Sequence, residues 1–224
     1  SLTNLTATGA TLDGADLTGT TAQGANLARV SAIGVTAPRA DLSNAVLIAA
    51  DLSGATLSNS SLSGAYGYQM NLAGADLAGA NLTSATLDWA DLTGATLSGA
   101  DLTQANLSIA DLTGTDATYA MFDRTDLQNA DLTGADLTGA VLTDVISSGV
   151  ELTGADLTGT VFIRTNLYGA DFVGADLTGT DLSSLDLTGA NLSGARQARW
   201  TNWPATIEAA NLGVVDRTMR DPDA

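Results

Sequence analysis

Carboxylates are the only abundant chemically active side chains in this sequence. Its 224 residues include 25 Asp and Glu but only eight basic residues, all arginine, and neither His nor Cys. Paired carboxylates can act as general acid and base or bind a metal ion, but the His, Cys and Lys side chains that usually complete such sites are missing. The acids also recur at a fixed spacing, so a sequence repeat accounts for their pairing. We therefore expect no enzyme, no metal site and no cofactor.

The net charge of −17 indicates which partners fit the protein. All of it belongs to residues 1–195, because residues 196–224 hold four acids and four arginines. This charge disfavours direct binding to nucleic acid or to an anionic membrane, and it favours a basic protein surface. No apolar run reaches 18 residues and no signal-like pattern follows Ser1, so we expect a cytoplasmic protein without a membrane span.

A five-residue period runs from Leu2 to Leu192 without insertion or deletion, as in ADLTGADLTGA at residues 130–140. Residues two apart face the same side of an extended strand. Each repeat therefore places Ala and Leu inward and Asp outward, and its Thr-Gly pair turns a corner with positive φ at the second residue. A short repeat of this kind is typical of a solenoid.

The glycines indicate how many corners form one coil. Corners that are 20 residues apart form a column. In the column from Gly14 to Gly194 the second residue of every corner is Gly, while the other columns are mixed. A coil should therefore contain four pentapeptides. We predict that residues 1–195 form one all-β domain, a quadrilateral parallel β-helix of about ten coils at about 4.8 Å per coil. Leucines at one register should be fully buried: Leu72, Leu92, Leu112 and Leu132.

The uninterrupted A(D/N)LXX units closely resemble the pentapeptide-repeat family over residues 1–195. This resemblance implies that the β-helix is right-handed. The best understood members resemble a rod of B-form DNA and bind DNA gyrase, which confers protection from quinolones or peptide poisons. Some gyrase-protecting relatives use loop insertions, and the present repeats have none.

Most acids occupy the outward slot, and most of these belong to two neighbouring faces. One face carries Asp51, Asp91, Asp111, Asp131, Glu151 and Asp171, and the next carries Asp76, Asp116, Asp136, Asp156 and Asp176. Carboxylates stacked about 4.8 Å apart repel one another, so their retention needs a reason. One interpretation is mimicry of a phosphate backbone. The other is structural, since Asp and Asn can bond nearby backbone and favour the turn.

The two less regular faces carry apolar side chains in outward positions. The predicted partner-binding residues are Tyr66, Tyr68, Trp89, Ile109 and Tyr168, with Val46 and Ile48 beside them and Met121, Val141, Val161 and Ile163 on the adjoining face. Such a strip favours a protein interface. The alternative is that outward valines and isoleucines merely suit strands.

The five-residue frame ends after Ala195, and residues 196–224 are predicted to form a capping or dimerisation tail. Pro204 can begin a short helix over residues 205–212, which Gly213 would end. The apolar residues available to cover the last coil are Trp200, Trp203, Ile207 and Leu212. Several family members dimerise through their C-terminal elements, so the resemblance implies either a homodimer or a monomer whose tail folds back as a cap.

The leading hypothesis is a non-enzymatic, DNA-mimicking rod that binds a type II topoisomerase, DNA gyrase, and modulates or protects it. Its binding sites would be the two acidic faces. The alternative is a scaffold or interaction module that binds another protein through the aromatic residues.

Overall fold

Each pentapeptide forms one short extended side followed by a tight corner in the computed structural model, which describes residues 1–197, 201–204 and 215–216. At a typical corner the amide of Ala95 donates to the carbonyl oxygen of Leu92 over 2.9 Å. The second corner residue, Gly94, has a φ of +64°. These features match a type II turn, so the glycine of the repeat has the role that the sequence predicts.

Successive coils pair in parallel and in register. Nearly all isolated bridges join residues 20 positions apart, such as Asp91 with Asp111, which is the spacing that the glycine columns predict. Between these coils the amide of Asp111 donates to the carbonyl of Ala90 at 2.9 Å, and the amide of Leu92 donates to the carbonyl of Asp111 at 2.7 Å. Each side of a coil is thus fixed to both of its neighbours.

Four longer strands stand out from this ladder of single bridges. Strand β1 (Val141–Thr143) pairs in parallel with β2 (Val161–Ile163), and β3 (Arg196–Gln197) pairs in parallel with β4 (Val215–Asp216). Within the described ranges every named element is a strand, and no helix is long and apolar enough to cross a membrane. Strand pairing therefore extends past the end of the five-residue frame.

The two inward slots of each repeat form one continuous apolar core. The prediction for Leu72, Leu92, Leu112 and Leu132 is confirmed, because none is more than 1% exposed. Where Gly67 takes a leucine slot, a Cβ built on it would lie 3.0 Å from Cε of Met70, so the longer methionine fills the missing volume. This exchange keeps the core close-packed.

Packing is looser in the first coils. Leu2, Leu12 and Leu17 are only partly buried. A wholly apolar cavity of about 30 Å³ lies beside them, and its lining includes Ala32 and Ala37 in slots that leucine fills elsewhere. The smaller side chains leave volume that their neighbours do not recover.

Some small inward slots hold buried hydroxyl groups. Thr125, Thr160 and Thr165 donate to the carbonyl oxygens of leucines in the preceding coil, over 2.6–2.8 Å. Ser60 and Thr115 are equally buried, but their hydroxyls have no hydrogen-bond partner in the described structure. The core therefore contains both satisfied and unsatisfied hydroxyls at equivalent positions.

Candidate partner-binding faces

The predicted acidic residues form two parallel files on adjacent faces. In the first ladder, bridges join Asp51, Asn71, Asp91, Asp111, Asp131, Glu151 and Asp171. In the second ladder, bridges join Asp76 through Thr96 to Asp116, Asp136, Asp156 and Asp176. The column of invariant corner glycines separates the two ladders, so only a slim corner lies between them.

Almost every ladder residue also stabilises its own corner. Oδ1 of Asp111 accepts the amide of Thr113 at 2.9 Å, and Oδ1 of Asp136 accepts the amide of Thr138 at the same distance. The contact recurs at every aspartate of both ladders and at Asn71, with distances of 2.9–3.1 Å. It orients the side chain and leaves the second carboxylate oxygen outside the turn. The interpretation of these aspartates as turn-forming residues therefore has direct support.

The ladder charges are largely uncompensated. The ion pairs in the described residues are Arg124 with Asp123 and Arg164 with Asp144, both at a corner away from the ladders. Six ladder acids in three successive coils, residues 111–156, make no ion pair in the part of the chain described: Asp111, Asp116, Asp131, Asp136, Glu151 and Asp156. This surface consequently presents a dense, one-signed charge.

The predicted aromatic residues are exposed and lie along the corner that precedes the first ladder. Tyr66 is 57% and Trp89 53% exposed, and they belong to adjacent coils. The aromatic corner comprises the side chains of four successive coils, Val46, Ile48, Tyr66, Tyr68, Trp89 and Ile109. Tyr168 lies along the same corner three coils beyond Ile109, so the structure does not bring it into this cluster.

Four further exposed apolar residues were not predicted from the repeat pattern: Leu5, Ile33, Tyr119 and Ile146. Tyr119 is 69% exposed, the largest fraction among the large apolar side chains described, and Ile146 is also exposed. Tyr119 occupies a corner position where the ring lies above the next coil, since a Cβ built on Gly139 would meet its Cε1 at 2.6 Å. The signal that could have revealed it is a large residue at a corner slot followed by Gly 20 positions later.

A bidentate ion pair between Arg164 and Asp144 lies beside the apolar face that carries Val141 and Val161. Nε and Nη2 of Arg164 donate to the two carboxylate oxygens of Asp144 over 2.5 and 2.6 Å. These bonds lower the pKa of Asp144 and raise that of Arg164, and the charge of Arg124 lowers the pKa of Asp144 further. The charges here cancel locally, unlike those of the ladders.

Part of the tail packs on the end of the solenoid. Thr201 is buried and donates from Oγ1 to the carbonyl of Leu177 over 2.8 Å. Trp203 packs partly against the core, and its Nε1 donates to Oε1 of Gln197 over 2.7 Å. The other tail residues singled out, Trp200, Ile207 and Leu212, and the predicted helix over 205–212 lie outside the described residues. No group of acids in the described ranges has an arrangement that could hold a metal ion.

Solved structures with a similar chain include three pentapeptide-repeat proteins. HetL from the cyanobacterium Nostoc sp. strain PCC 7120, involved in heterocyst differentiation regulation, is 33% identical over 86% of this chain and 90% of its own, with a TM-score of 0.46. QnrB1, a plasmid-mediated fluoroquinolone resistance protein, is 20% identical over 96% of this chain and 91% of its own, with a TM-score of 0.36. A protein of the Arabidopsis thaliana thylakoid lumen is 26% identical over 51% of this chain and 66% of its own, with a TM-score of 0.24.

The family comparison covers nearly all of the repeats. The family described as Pentapeptide repeats matches in eight copies, over residues 1–31, 25–64, 71–108, 105–144, 148–183 and 177–196. No curated protein matches the chain in sequence. Proteins of this kind are generally structural or interaction modules. The chain belongs to the pentapeptide-repeat family, whose members fold as right-handed β-helices.

Proposed function

We propose that the protein is a non-enzymatic rod that mimics the charge of a DNA duplex and binds the basic DNA-binding surface of a type II topoisomerase, DNA gyrase. The observation that carries this proposal is the pair of acidic ladders. Through four consecutive coils both ladders hold an acid, giving Asp111 with Asp116, Asp131 with Asp136, Glu151 with Asp156, and Asp171 with Asp176. Gyrase is proposed as the partner because the best understood members of the family, which this chain resembles, bind it.

The charge density of the ladders supports the comparison with DNA. Two carboxylates per coil at about 4.8 Å per coil correspond to one charge every 2.4 Å or so along the axis. Duplex DNA carries one charge per roughly 1.7 Å, counting both strands. Because the ladders occupy adjacent faces, their charge points to one side of the rod. A basic surface that holds DNA would therefore meet a comparable field.

The turn-forming role of the ladder residues does not explain their charge. Asn81 and Asn106 accept the same amide contact from the residue two positions on, at 3.0 and 2.9 Å. Neutral asparagine therefore serves the fold as well as aspartate, whereas stacked carboxylates repel one another. The preference for aspartate over successive coils favours a role for the charge itself, which is binding to a basic partner.

A supercoiling assay with purified gyrase tests the proposal. The protein should inhibit supercoiling, or relieve inhibition by a gyrase poison, and the effect should weaken as salt screens the ladders. A ladder variant, with Asp111, Asp131, Asp136 and Asp156 changed to Asn, should lose most of the effect. Unchanged gyrase activity in the presence of the wild-type protein at low salt would remove gyrase as the partner.

The matched control removes the same number of charges from the other two faces. Asp41, Asp101, Asp126 and Asp186 make the same amide contact, so their replacement by Asn keeps the turns. This control variant should retain the wild-type effect on gyrase. If it loses as much as the ladder variant, net charge acts without any contribution from the ladders, and the proposed site is wrong.

The alternative function is a protein-interaction module that uses the aromatic residues. The observation that favours it is the exposure of Tyr66 and Trp89 on adjacent coils, because Tyr and Trp are enriched at the energetic centres of interfaces. Changing both to Ala should then abolish partner binding while the ladder variant retains it. The opposite pattern is expected if the ladders are the principal site.

We further propose that residues 196–224 cap the last coil and provide a dimer contact. The buried Thr201, the partly buried Trp203 and the parallel pairing of β4 on β3 support the capping role. An uncovered strand edge invites uncontrolled stacking, which a closed twofold contact avoids. Light scattering should give a dimeric mass for the full chain. A monomeric mass at high protein concentration would rule the dimer out.

A further inference from the structure

We infer that the aromatic corner is a docking surface for a basic amphipathic α-helix of a partner protein. This inference goes beyond the DNA-mimic proposal, because it concerns a different surface and specifies the chemistry of what binds there. It deepens the alternative function by naming the class of partner.

The aromatic corner is an apolar strip over four successive coils, interrupted by Asp88 next to Trp89. Val46 bridges to Tyr66, and Tyr66 bridges to Thr86, so the coils that carry the strip are direct neighbours. Large apolar side chains are exposed along the whole strip: Ile48, Tyr66, Tyr68, Trp89 and Ile109. A strip of this composition across four coils is typical of an interaction site.

The backbone conformation is unfavourable at two residues of this strip, Trp89 and Ile109. Trp89 and Ile109 occupy the second corner position with φ of +61° and +60°, in the left-handed region that favours glycine. Ile109 is the sole β-branched residue among the described residues with positive φ, and β-branched side chains are the least suited to this conformation. Both side chains are about half exposed, so core packing does not repay the strain. Sixteen non-glycine residues in the described ranges have a positive φ, so the distinctive strain of this corner is that of the exposed, β-branched Ile109. Strain of this kind is characteristic of functional sites.

The charge beside the corner differs on its two flanks. Trp89 and Ile109 each precede an acid of the first ladder by two residues, so Asp91 and Asp111 line one flank of the strip. On the other flank the outward slots hold the uncharged Thr86 and Asn106. A complementary partner therefore combines an apolar stripe with basic residues along one edge of that stripe.

The spacing of the coils fits a helix better than a strand. Along the corner, equivalent side chains recur about every 4.8 Å. A helix lying along the rod presents one residue per turn every 5.4 Å, whereas a strand presents same-face residues about every 6.8 Å. Across the three intervals between four coils, the mismatch is roughly 2 Å for a helix and 6 Å for a strand. A helix can therefore contact all four coils in register.

A synthetic helical peptide tests the inference with the full-length protein. The probe carries leucines at every third or fourth position and arginines along one edge of the leucine stripe, and its binding is followed by fluorescence anisotropy. The variant Trp89→Gly/Ile109→Gly should bind the peptide about tenfold more weakly or worse, which is the loss typical of removing interface hot spots. Glycine suits both φ values, so circular dichroism and thermal unfolding should show a folded protein.

Tyr119→Gly is the matched control, because Tyr119 is also exposed, aromatic and at positive φ, but lies on another corner. It should bind the peptide like the wild type. Equal binding by the double variant, equal loss in the control, or equal binding of a peptide with glutamates in place of arginines would each overturn the inference. Binding of the wild type to phosphatidylcholine vesicles but not to the peptide would instead assign the corner to a membrane. Because the assay contains no gyrase, its failure leaves the proposed function of the ladders standing.

Discussion

Truncation of Leu112 to alanine should lower the free energy of unfolding by about 4 kcal/mol. Leu112 is fully buried, and removal of three carbons costs about 2.4 kcal/mol in lost transfer free energy. The amide of Leu112 donates to the backbone carbonyl of Asp131 at 2.7 Å, and the amide of Asp111 donates to the backbone carbonyl of Ala90 at 2.9 Å. Because these bonds fix the coil on both sides, the cavity cannot collapse and adds about 1–2 kcal/mol.

Equilibrium urea unfolding, followed by circular dichroism, measures this loss. Leu17→Ala serves as the comparison, because Leu17 is only partly buried and lines the cavity in the first coils. It should cost less than about 2 kcal/mol, since less contact area is lost. If Leu112→Ala lies within about 1 kcal/mol of the wild type, or costs no more than Leu17→Ala, the reasoning from a rigid stacked core is refuted.

Other properties of the core and corners can be tested with paired substitutions. Thr115→Val should raise stability by about 1 kcal/mol, because it removes an unsatisfied buried hydroxyl, and Thr125→Val should lower stability by a similar amount, because it removes the 2.8 Å bond to Leu102. Thermal unfolding separates the two, and shifts of the same sign would contradict the assignment. Gly67→Ala should cost about 1–3 kcal/mol, because the new Cβ would lie 2.9 Å from Leu87 and 3.0 Å from Met70. Adding Met70→Ala should recover part of this cost, and purely additive effects in a double-mutant cycle would argue against the volume exchange. Arg164→Gln should raise the depressed pKa of Asp144 towards 3.8. The ion pair stabilises the fold fully above the ordinary carboxyl pKa and loses its effect as pH falls through the lower folded pKa. NMR titration of the Asp144 carboxyl carbon follows the change, and an identical titration in the variant would show that Arg164 is not its cause.

The regular part of the fold could be predicted because one physical rule governs each slot of the repeat. Alternation along an extended side places Leu112 inward and Asp111 outward. The need for positive φ explains Gly94 and its column, and the 20-residue spacing of that column matches the bridges between coils. The sequence also places the predicted acidic files on adjacent faces, since their slots are five residues apart.

Irregular features could not be predicted because they depend on contacts between particular side chains. The bidentate ion pair of Arg164 with Asp144 requires that both residues lie in one corner column and adopt suitable rotamers. The position of Tyr119 depends on Gly139 in the next coil, which leaves space for the ring. In the tail, Asn202 bridges to Asp181 across 21 residues instead of 20, so the five-residue frame no longer indicates the pairing partner.

The most direct test of the central claim is the affinity of gyrase for the ladder variant and for its matched control, measured over a range of salt concentrations. Both variants lose four carboxylates and keep the amide contacts of the turns. If the ladders form the binding site, the control should bind gyrase like the wild type, with an affinity that falls steeply as salt rises. The ladder variant should bind weakly, and its affinity should depend less on salt. Indistinguishable affinities and salt dependences for the two variants would contradict the claim that the two acidic ladders form the binding site.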